Sequence, residues 1–340
     1  ARRELRVETL ARACLARIEA REPVAGAWTF LDPDSALAEA RRLDAGALRG
    51  PLHGLPLGVK DLIDTVQYPT AYGSPIYAGH RSPWDAACVA RARSAGALVL
   101  GKTVTTEFAA YHPGKTANPH NPAHTPGGSS SGSAAAVADG MVPLAYGTQT
   151  AASVIRPAAF CGVVGFKPGF GLISRAGVKP LAESLDTLGV FARDVADAAL
   201  FAGVLAGRHW QPPDTPAIPR IGVCRTSAWN QAELAAQTAF EQAARQLAKH
   251  GAQISVVDLP AAFDDLVPAQ IGIMAFEASQ SLHDEAVRHA DRLSAPLQAL
   301  IAQGQSMPPE RYDECQQQAR ACRGQLDAVF AGTDVLLTLS

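Results

Sequence analysis

Two stretches, residues 114–132 and 147–157, are built almost entirely from small or polar side chains, and apolar segments flank both. Backbone with so little bulk can lie against other backbone inside a protein, so these stretches limit the chain to folds that hold irregular loops next to buried strands. Around them, residues 57–59 read as a short strand ending at Lys60 and Asp61. Residues 83–95 read as a helix, 97–100 as a buried strand, 133–140 as a helix and 142–146 as a further strand. Such alternation predicts α/β architecture with a largely parallel sheet. Long irregular loops in a compact fold are usually functional, and both of these carry serines.

The rest of the chain fits that framework. Leu5, Leu10, Leu15 and Ile18 recur at helical spacing over residues 1–20. Arg2, Arg3, Arg6, Arg12 and Arg17 there are balanced by Glu4, Glu8 and Glu19, which argues for an amphipathic helix against a transit peptide. A second helix is expected over residues 34–47, and 51–56 is a loop. Residues 203–219, with four prolines and Trp210, read as a connector. Beyond it, 221–224, 230–250 and 254–258 predict a βαβ unit, with Leu234, Phe240, Ala244 and Leu247 as the apolar helix face. Residues 263–290 and 308–330 read as helical, and the chain stops within a strand pattern at 334–339.

Composition excludes several classes. The 340 residues are 47% apolar and 18% charged, ample for a core. Thirty basic and 32 acidic residues give a net charge of −2, which argues against a nucleic-acid binder or an electrostatic membrane attachment. No apolar run reaches the roughly 18 residues of a membrane span. Six cysteines without a CxxC pair do not form a disulfide framework. Cys14, Cys88, Cys161 and Cys224 read as buried thiols, which places the chain in a reducing cytoplasm.

Three motif matches are misleading. Gly96 to Thr103 fits the GxxxxGK[ST] spelling, but ALVL between the glycines is itself a strand, so a buried strand followed by a turn is expected. Gly128-Ser129-Ser130-Ser131-Gly132 fits GxSxG, yet a proline-rich loop stands where that motif needs a strand. Pro122 keeps His120 and His124 off one helix face, and there is no HExxH, so no metal site is expected.

What remains is Lys60 in GVKD, Ser129 in PGGSSSGS and Ser153 in GTQTAASVIRP. A lysine closing an apolar strand is desolvated towards its neutral form and can serve as a base. The two serines can receive and relay a proton, and the amides just before Ser153 can converge on an anion. Together these groups supply nucleophile, base, relay and oxyanion donors for acyl transfer.

These runs, with GVVGFKP downstream, resemble the amidase signature family over about residues 55–205, and more weakly to residue 340. The GTQT and SVIRPA spellings are most similar to its malonamidase branch. The resemblance implies a mixed central sheet sandwiched between helices and a single domain over residues 1–340. Within it, 1–202 would hold the N-terminal helices and catalytic core, and 203–330 a more variable, partly helical portion bordering the substrate entrance. It implies Ser153 as nucleophile, Ser129 as relay, Lys60 as base and a cis Gly128–Ser129 peptide. The oxyanion hole would come from the amides of Thr150, Ala151, Ala152 and Ser153, with Ser130, Thr148 and Gln149 supporting the triad. Arg156 would clamp a substrate carboxylate, as an arginine fork suits. No cofactor is implied, the substrate is a small amide, and a homodimer rests on the resemblance alone.

The chain departs from the family pattern at three places. Gln149 stands where an acidic residue is usual, Ile155 where an arginine is usual, and Ala152 where glycine is commoner. A left-handed backbone at 152 would strain alanine. The family continues past the DVLLT strand at 334–338, so a longer complete protein is expected. Alternatives on the same triad are carbamate, urea-like or ester hydrolysis, or an amidotransferase subunit needing partner chains. Tyr111, residues 171–172 and residues 271–276 are candidate pocket walls.

Overall fold

The computed structural model describes residues 5–210 and 217–340. Residues 1–4 of the expected first helix and 211–216 of the expected connector lie outside the described residues. The chain forms two compact units, Ala1–Pro212 with Glu277–Gln303, and Pro213–Phe276 with Gly304–Ser340.

The first unit opens with α1 (Val7–Ala25), β1 (Trp28–Leu31) and α2 (Pro33–Ala45). Gly26 ends α1 in the left-handed region at φ 55, and its amide returns to the Glu22 carbonyl. Asp32 caps α2 by accepting the Ser35 amide, with Pro33 at the first helical position. There follow β2 (Pro56–Lys60), α3 (Ala87–Ser94), β3 (Leu98–Thr103), α4 (Ser131–Ala138), β4 (Leu144–Gln149), α5 (Ile155–Cys161), β5 (Val164–Phe166), β6 (Thr187–Ala192) and α6 (Val195–Ala206).

The six strands lie in the order β1-β3-β2-β4-β6-β5. The pairings of β2 with β3 and with β4 are parallel, and the other three are antiparallel. The sheet is therefore mixed, as the resemblance implies, rather than largely parallel, as the alternation of elements alone predicts. Helices cover both faces. Leu98 and Leu100 join the α1, α2 and α4 residues Ile18, Leu43 and Val137 in one cluster. Val99, between them, joins Val89 of α3 and Phe201 of α6 in the other. Side chains that alternate between two dry layers explain why β2, β3, β4 and β6 are buried throughout and show no polar alternation.

Several boundaries differ from expectation. The helix expected from residue 83 begins at Ala87, because Ala86 donates to the Asp64 carbonyl and Asp85 accepts the Val66 amide. The strand expected over 142–146 runs on through Gln149, since Gly147, Thr148 and Gln149 pair with Gly189, Leu188 and Thr187. The small-residue stretch after it is thus part strand and, from Ile155, part helix. Within the GxxxxGK[ST] spelling the strand continues to Thr103 with no turn at Gly101. Lys102 is wholly buried there, 3.3 Å from Asp61 Oδ1, and donates to the Ile63 carbonyl and the Thr70 hydroxyl.

In the second unit, β7 (Arg220–Val223), α7 (Leu234–Lys249) and β8 (Gln253–Val256) form the expected parallel βαβ unit. The helix α8 (Leu266–Ser281) belongs to this unit up to Phe276. The chain continues through α9 (His283–Arg288), α10 (Ala295–Gln305), α11 (Pro309–Gly324), α12 (Leu326–Val329) and β9 (Val335–Leu337), which pairs parallel with β7. Only Phe240 and Ala244 of the expected α7 face are buried. Leu234 is 78% exposed, because the apolar cluster beneath the helix is small, with Val223 as its third buried member.

The Tyr146 ring meets Phe201 edge-on at 4.8 Å, and its hydroxyl donates to the Cys88 carbonyl. Phe201→Ala removes a fully buried ring from this contact. It is expected to cost about 3–5 kcal/mol, read as a lower midpoint in urea unfolding.

Candidate active site

Three loops meet at the carboxyl ends of β2 and β4. Lys60 closes β2, Ser129 lies in the loop before α4, and Ser153 lies between β4 and α5. The Lys60 side chain is fully buried, with Nζ 2.8 Å from Ser129 Oγ, 2.7 Å from Thr148 Oγ1 and 3.4 Å from the Thr148 carbonyl. No carboxylate among the described residues pairs with it within 4.0 Å, although the site is dry. Burial drives the Lys60 pKa well below 10.5, against a smaller opposing pull from the Asp186 carboxylate. A neutral amine has two N–H donors and one lone pair. The two Thr148 oxygens can take the donors, and the Ser129 hydroxyl can donate to the lone pair.

The loops are fastened to each other by backbone. The Ser130 amide donates to the Ser153 carbonyl at 3.3 Å, and the Thr106 amide to the Ser129 carbonyl at 3.2 Å. Ser130 Oγ donates to the Thr148 carbonyl and accepts the Thr148 amide. Ser131 Oγ reaches the Val104 carbonyl at 3.4 Å. The Gly128–Ser129 peptide is cis.

Gln149 and Arg156 act through the chain around Ser153. Gln149 Oε1 accepts the amides of Val154 at 3.0 Å and Ile155 at 3.2 Å, so an amide oxygen is enough where an acidic residue is commoner. Ala152 is outside the left-handed region, so its backbone does not call for glycine. Among the described residues, the amides of Ala151, Ala152 and Ser153 donate to no protein acceptor, which leaves them available to an anion. Arg156 is exposed, and its Nε and Nη2 donate to the Gly128 carbonyl at 3.1 and 2.8 Å. The guanidinium is therefore already engaged, on the peptide that carries Ser129.

Of the pocket residues, Tyr111 is exposed, Gly171 is exposed with Leu172 half-buried, and Ile271–Phe276 belongs to the second unit. His120 Nε2 bonds the Cys161 carbonyl, and the His124 amide serves a turn with Asn121. Sequence reading missed Asp186, which accepts the Thr150 hydroxyl at 2.6 Å. An aspartate inside the apolar run LAESLDTLGVFA was the available signal. It also missed Thr106, whose Oγ1 is buried without a hydrogen-bond partner beside this site. No helix among the described residues is long and apolar enough to cross a membrane.

A mixed sheet between helices thus holds a buried lysine–serine pair and a run of free backbone amides at one end. Residues 9–338 match the family described as Amidase, and the chain belongs to that family, hydrolases of amide carbon–nitrogen bonds. It is 36% identical to a glutamyl-tRNA(Gln) amidotransferase subunit from Chloroflexus aggregans, over 98% of this chain and 78% of the relative. It is 41% identical to the corresponding subunit from Chloroflexus aurantiacus, over 74% of this chain and 57% of that relative. A solved amidase structure superposes with a TM-score of 0.89 at 31% identity, covering 98% of this chain and 78% of the other. The peptide amidase from Stenotrophomonas maltophilia gives 0.82 at 32%, covering 96% and 79%.

A neutral buried lysine has a testable signature. The unfolded chain holds the Lys60 proton up to about pH 10.5, and the folded chain releases it at lower pH. Between those values the unfolded state binds more protons, so this residue lowers stability increasingly as pH falls. Lys60→Met removes that dependence. Denaturant unfolding at pH 7 to 10 should show the variant gaining on wild type towards pH 7, with a limiting slope of about 1.4 kcal/mol per pH unit.

Proposed function

We propose that the chain is an amidase that hydrolyses a small amide through an acyl-enzyme on Ser153. The observation that carries this reading is Lys60 Nζ, buried with no paired carboxylate among the described residues, 2.8 Å from Ser129 Oγ. Neutral Lys60 takes the Ser129 hydroxyl proton while Ser129 takes that of Ser153, and Ser153 Oγ attacks the carbonyl carbon. The tetrahedral oxyanion rests on the amides of Ala151, Ala152 and Ser153, with Thr150 at the edge of the same loop. Collapse breaks the carbon–nitrogen bond, and the amine leaves with a proton returned through Ser129. Water then attacks the ester by the same relay, freeing the carboxylic acid and Ser153.

Substrates bearing a carboxylate, as in the malonamidase branch, are the finer proposal. Arg156 is exposed and spends its donors on one backbone carbonyl, which a carboxylate can replace as a stronger, bidentate acceptor. A second reading is favoured by the relatives named as components of an amidotransferase. In it the same site releases ammonia for a partner chain, and the protein works in a heteromeric assembly. A homodimer is the corresponding proposal for the first reading.

Ammonia release from a panel of small amides, half of them carboxylated, tests these readings. Ser153→Ala and Lys60→Ala should each lower kcat by at least about 10²–10⁴-fold. Arg156→Ala should raise KM for carboxylated amides more than for uncharged ones. Turnover by the purified chain alone supports the first reading. Turnover that appears only with added partner chains and charged transfer RNA supports the second.

A further inference from the structure

We propose that Asp186 is a positioning residue for the nucleophile loop: its carboxylate fastens Thr150, the first residue of that loop, to the turn that leads into β6. This rests on the acyl-transfer reading above. The β4–β6 ladder ends at the Gln149–Thr187 pair, so Thr150 and Asp186 are the residues at which the two segments leave it. Asp186 Oδ1 accepts the Thr150 hydroxyl at 2.6 Å. Oδ2 accepts the amides of Leu181 at 2.9 Å and Ala182 at 3.1 Å, and the Asp186 amide donates to the Ala182 carbonyl at 2.8 Å. One end of the tether is thus rigid and the other holds the loop.

Packing around Thr150 is incomplete. A cavity of about 20 Å³, room for about one water, is lined in part by Thr148, Thr150, Arg175 and Asp186. The amides that would receive the oxyanion follow directly at 151–153. A displacement of Thr150 therefore displaces the donors, and oxyanion stabilisation depends steeply on their aim.

The carboxylate also acts at a distance. Burial raises the Asp186 pKa above the ordinary carboxylate value, against the three donors and the nearby Arg175 guanidinium, which favour the anion. As an anion it supplies the negative charge that partly offsets the desolvation of Lys60. The other ionisable groups on the elements around Lys60 are Asp61, Lys102 on β3, Tyr146 on β4, Glu107, Arg175 and Lys179. Asp61 and Lys102 face each other, and Lys179 pairs with Glu285. Removing the Asp186 charge should make Lys60 lose its proton at still lower pH.

Two substitutions separate tether from charge. Thr150→Val cuts the tether and keeps the charge. Asp186→Asn removes the charge and keeps a group able to hydrogen-bond Thr150. The readout is the rate at which an alkyl fluorophosphonate labels the full-length chain between pH 5 and 10. In that reaction Ser153 Oγ bonds phosphorus, fluoride leaves, the serine proton passes to the relay, and the phosphoryl oxygen occupies the oxyanion position. The expected result for Thr150→Val is a plateau rate at least about tenfold lower with an unchanged midpoint of the acid limb. For Asp186→Asn it is a midpoint lowered by about half a pH unit or more, and for Asp186→Glu a midpoint restored towards wild type. Thermal melts identify folded variants, and Thr150→Val carries the test if Asp186→Asn does not fold. A wild-type plateau in folded Thr150→Val, or a wild-type midpoint in folded Asp186→Asn, overturns the proposal. Absent labelling of wild type, or equal labelling of Ser153→Ala, instead sinks the acyl-transfer reading beneath it.

Discussion

Everything near the candidate site depends on keeping one amine dry. An ammonium at the Lys60 position would need a counter-ion or water, and the described residues place neither a paired carboxylate nor solvent exposure there. Two Thr148 oxygens and the Ser129 hydroxyl meet the needs of a neutral amine. The contrast with Lys102 is instructive. It is just as buried on the neighbouring strand, but it faces the Asp61 carboxylate at 3.3 Å, and that pair ties β3 to the segment after β2. Burial lowers the pKa of both lysines, but at Lys102 the adjacent Asp61 carboxylate opposes it, whereas Lys60 falls well below the ordinary value.

A dry amine needs loops that close over it, and the small residues allow this. A Cβ on Gly132 would stand 2.2 Å from the Ala27 carbonyl oxygen and 2.4 Å from the Val104 nitrogen, so only glycine admits the start of α4 at that depth. A Cβ on Gly147 would stand 2.6 Å from the Phe191 ring and 3.1 Å from Ser130 Oγ. The loop carrying Ser129 can then reach Thr148, and through the Ser130 amide the carbonyl of Ser153. The low side-chain volume of both stretches is therefore a packing requirement imposed by the site.

Much of this was legible before the fold was known. The buried strands expected at 57–59 and 97–100, the βαβ unit after residue 220 and the four buried cysteines follow from short apolar runs, whose burial is a local property, although the second strand runs on to Thr103. The extension of β4 to Gln149 was not legible, because it depends on β6, some forty residues away along the chain and without a polar alternation to announce it. Asp186 was missed for the same reason. Its partners at 150, 181 and 182 come together only when β4 and β6 pair. Arg156 read in sequence as a clamp for a substrate carboxylate, whereas in the fold its guanidinium donates to the Gly128 carbonyl.

The sequence by itself determined the family, the mixed α/β class and the three residues expected to form the triad, because their motifs combine unusual side chains with obligatory small neighbours. Only the tertiary structure decided that Lys60 meets Ser129 and Thr148 with no paired carboxylate among the described residues, that Gln149 caps the chain after Ser153, and that Asp186 holds Thr150. Proton affinity and hydrogen-bond direction depend on distances of a few ångströms between segments far apart in the chain, and no local pattern encodes such distances.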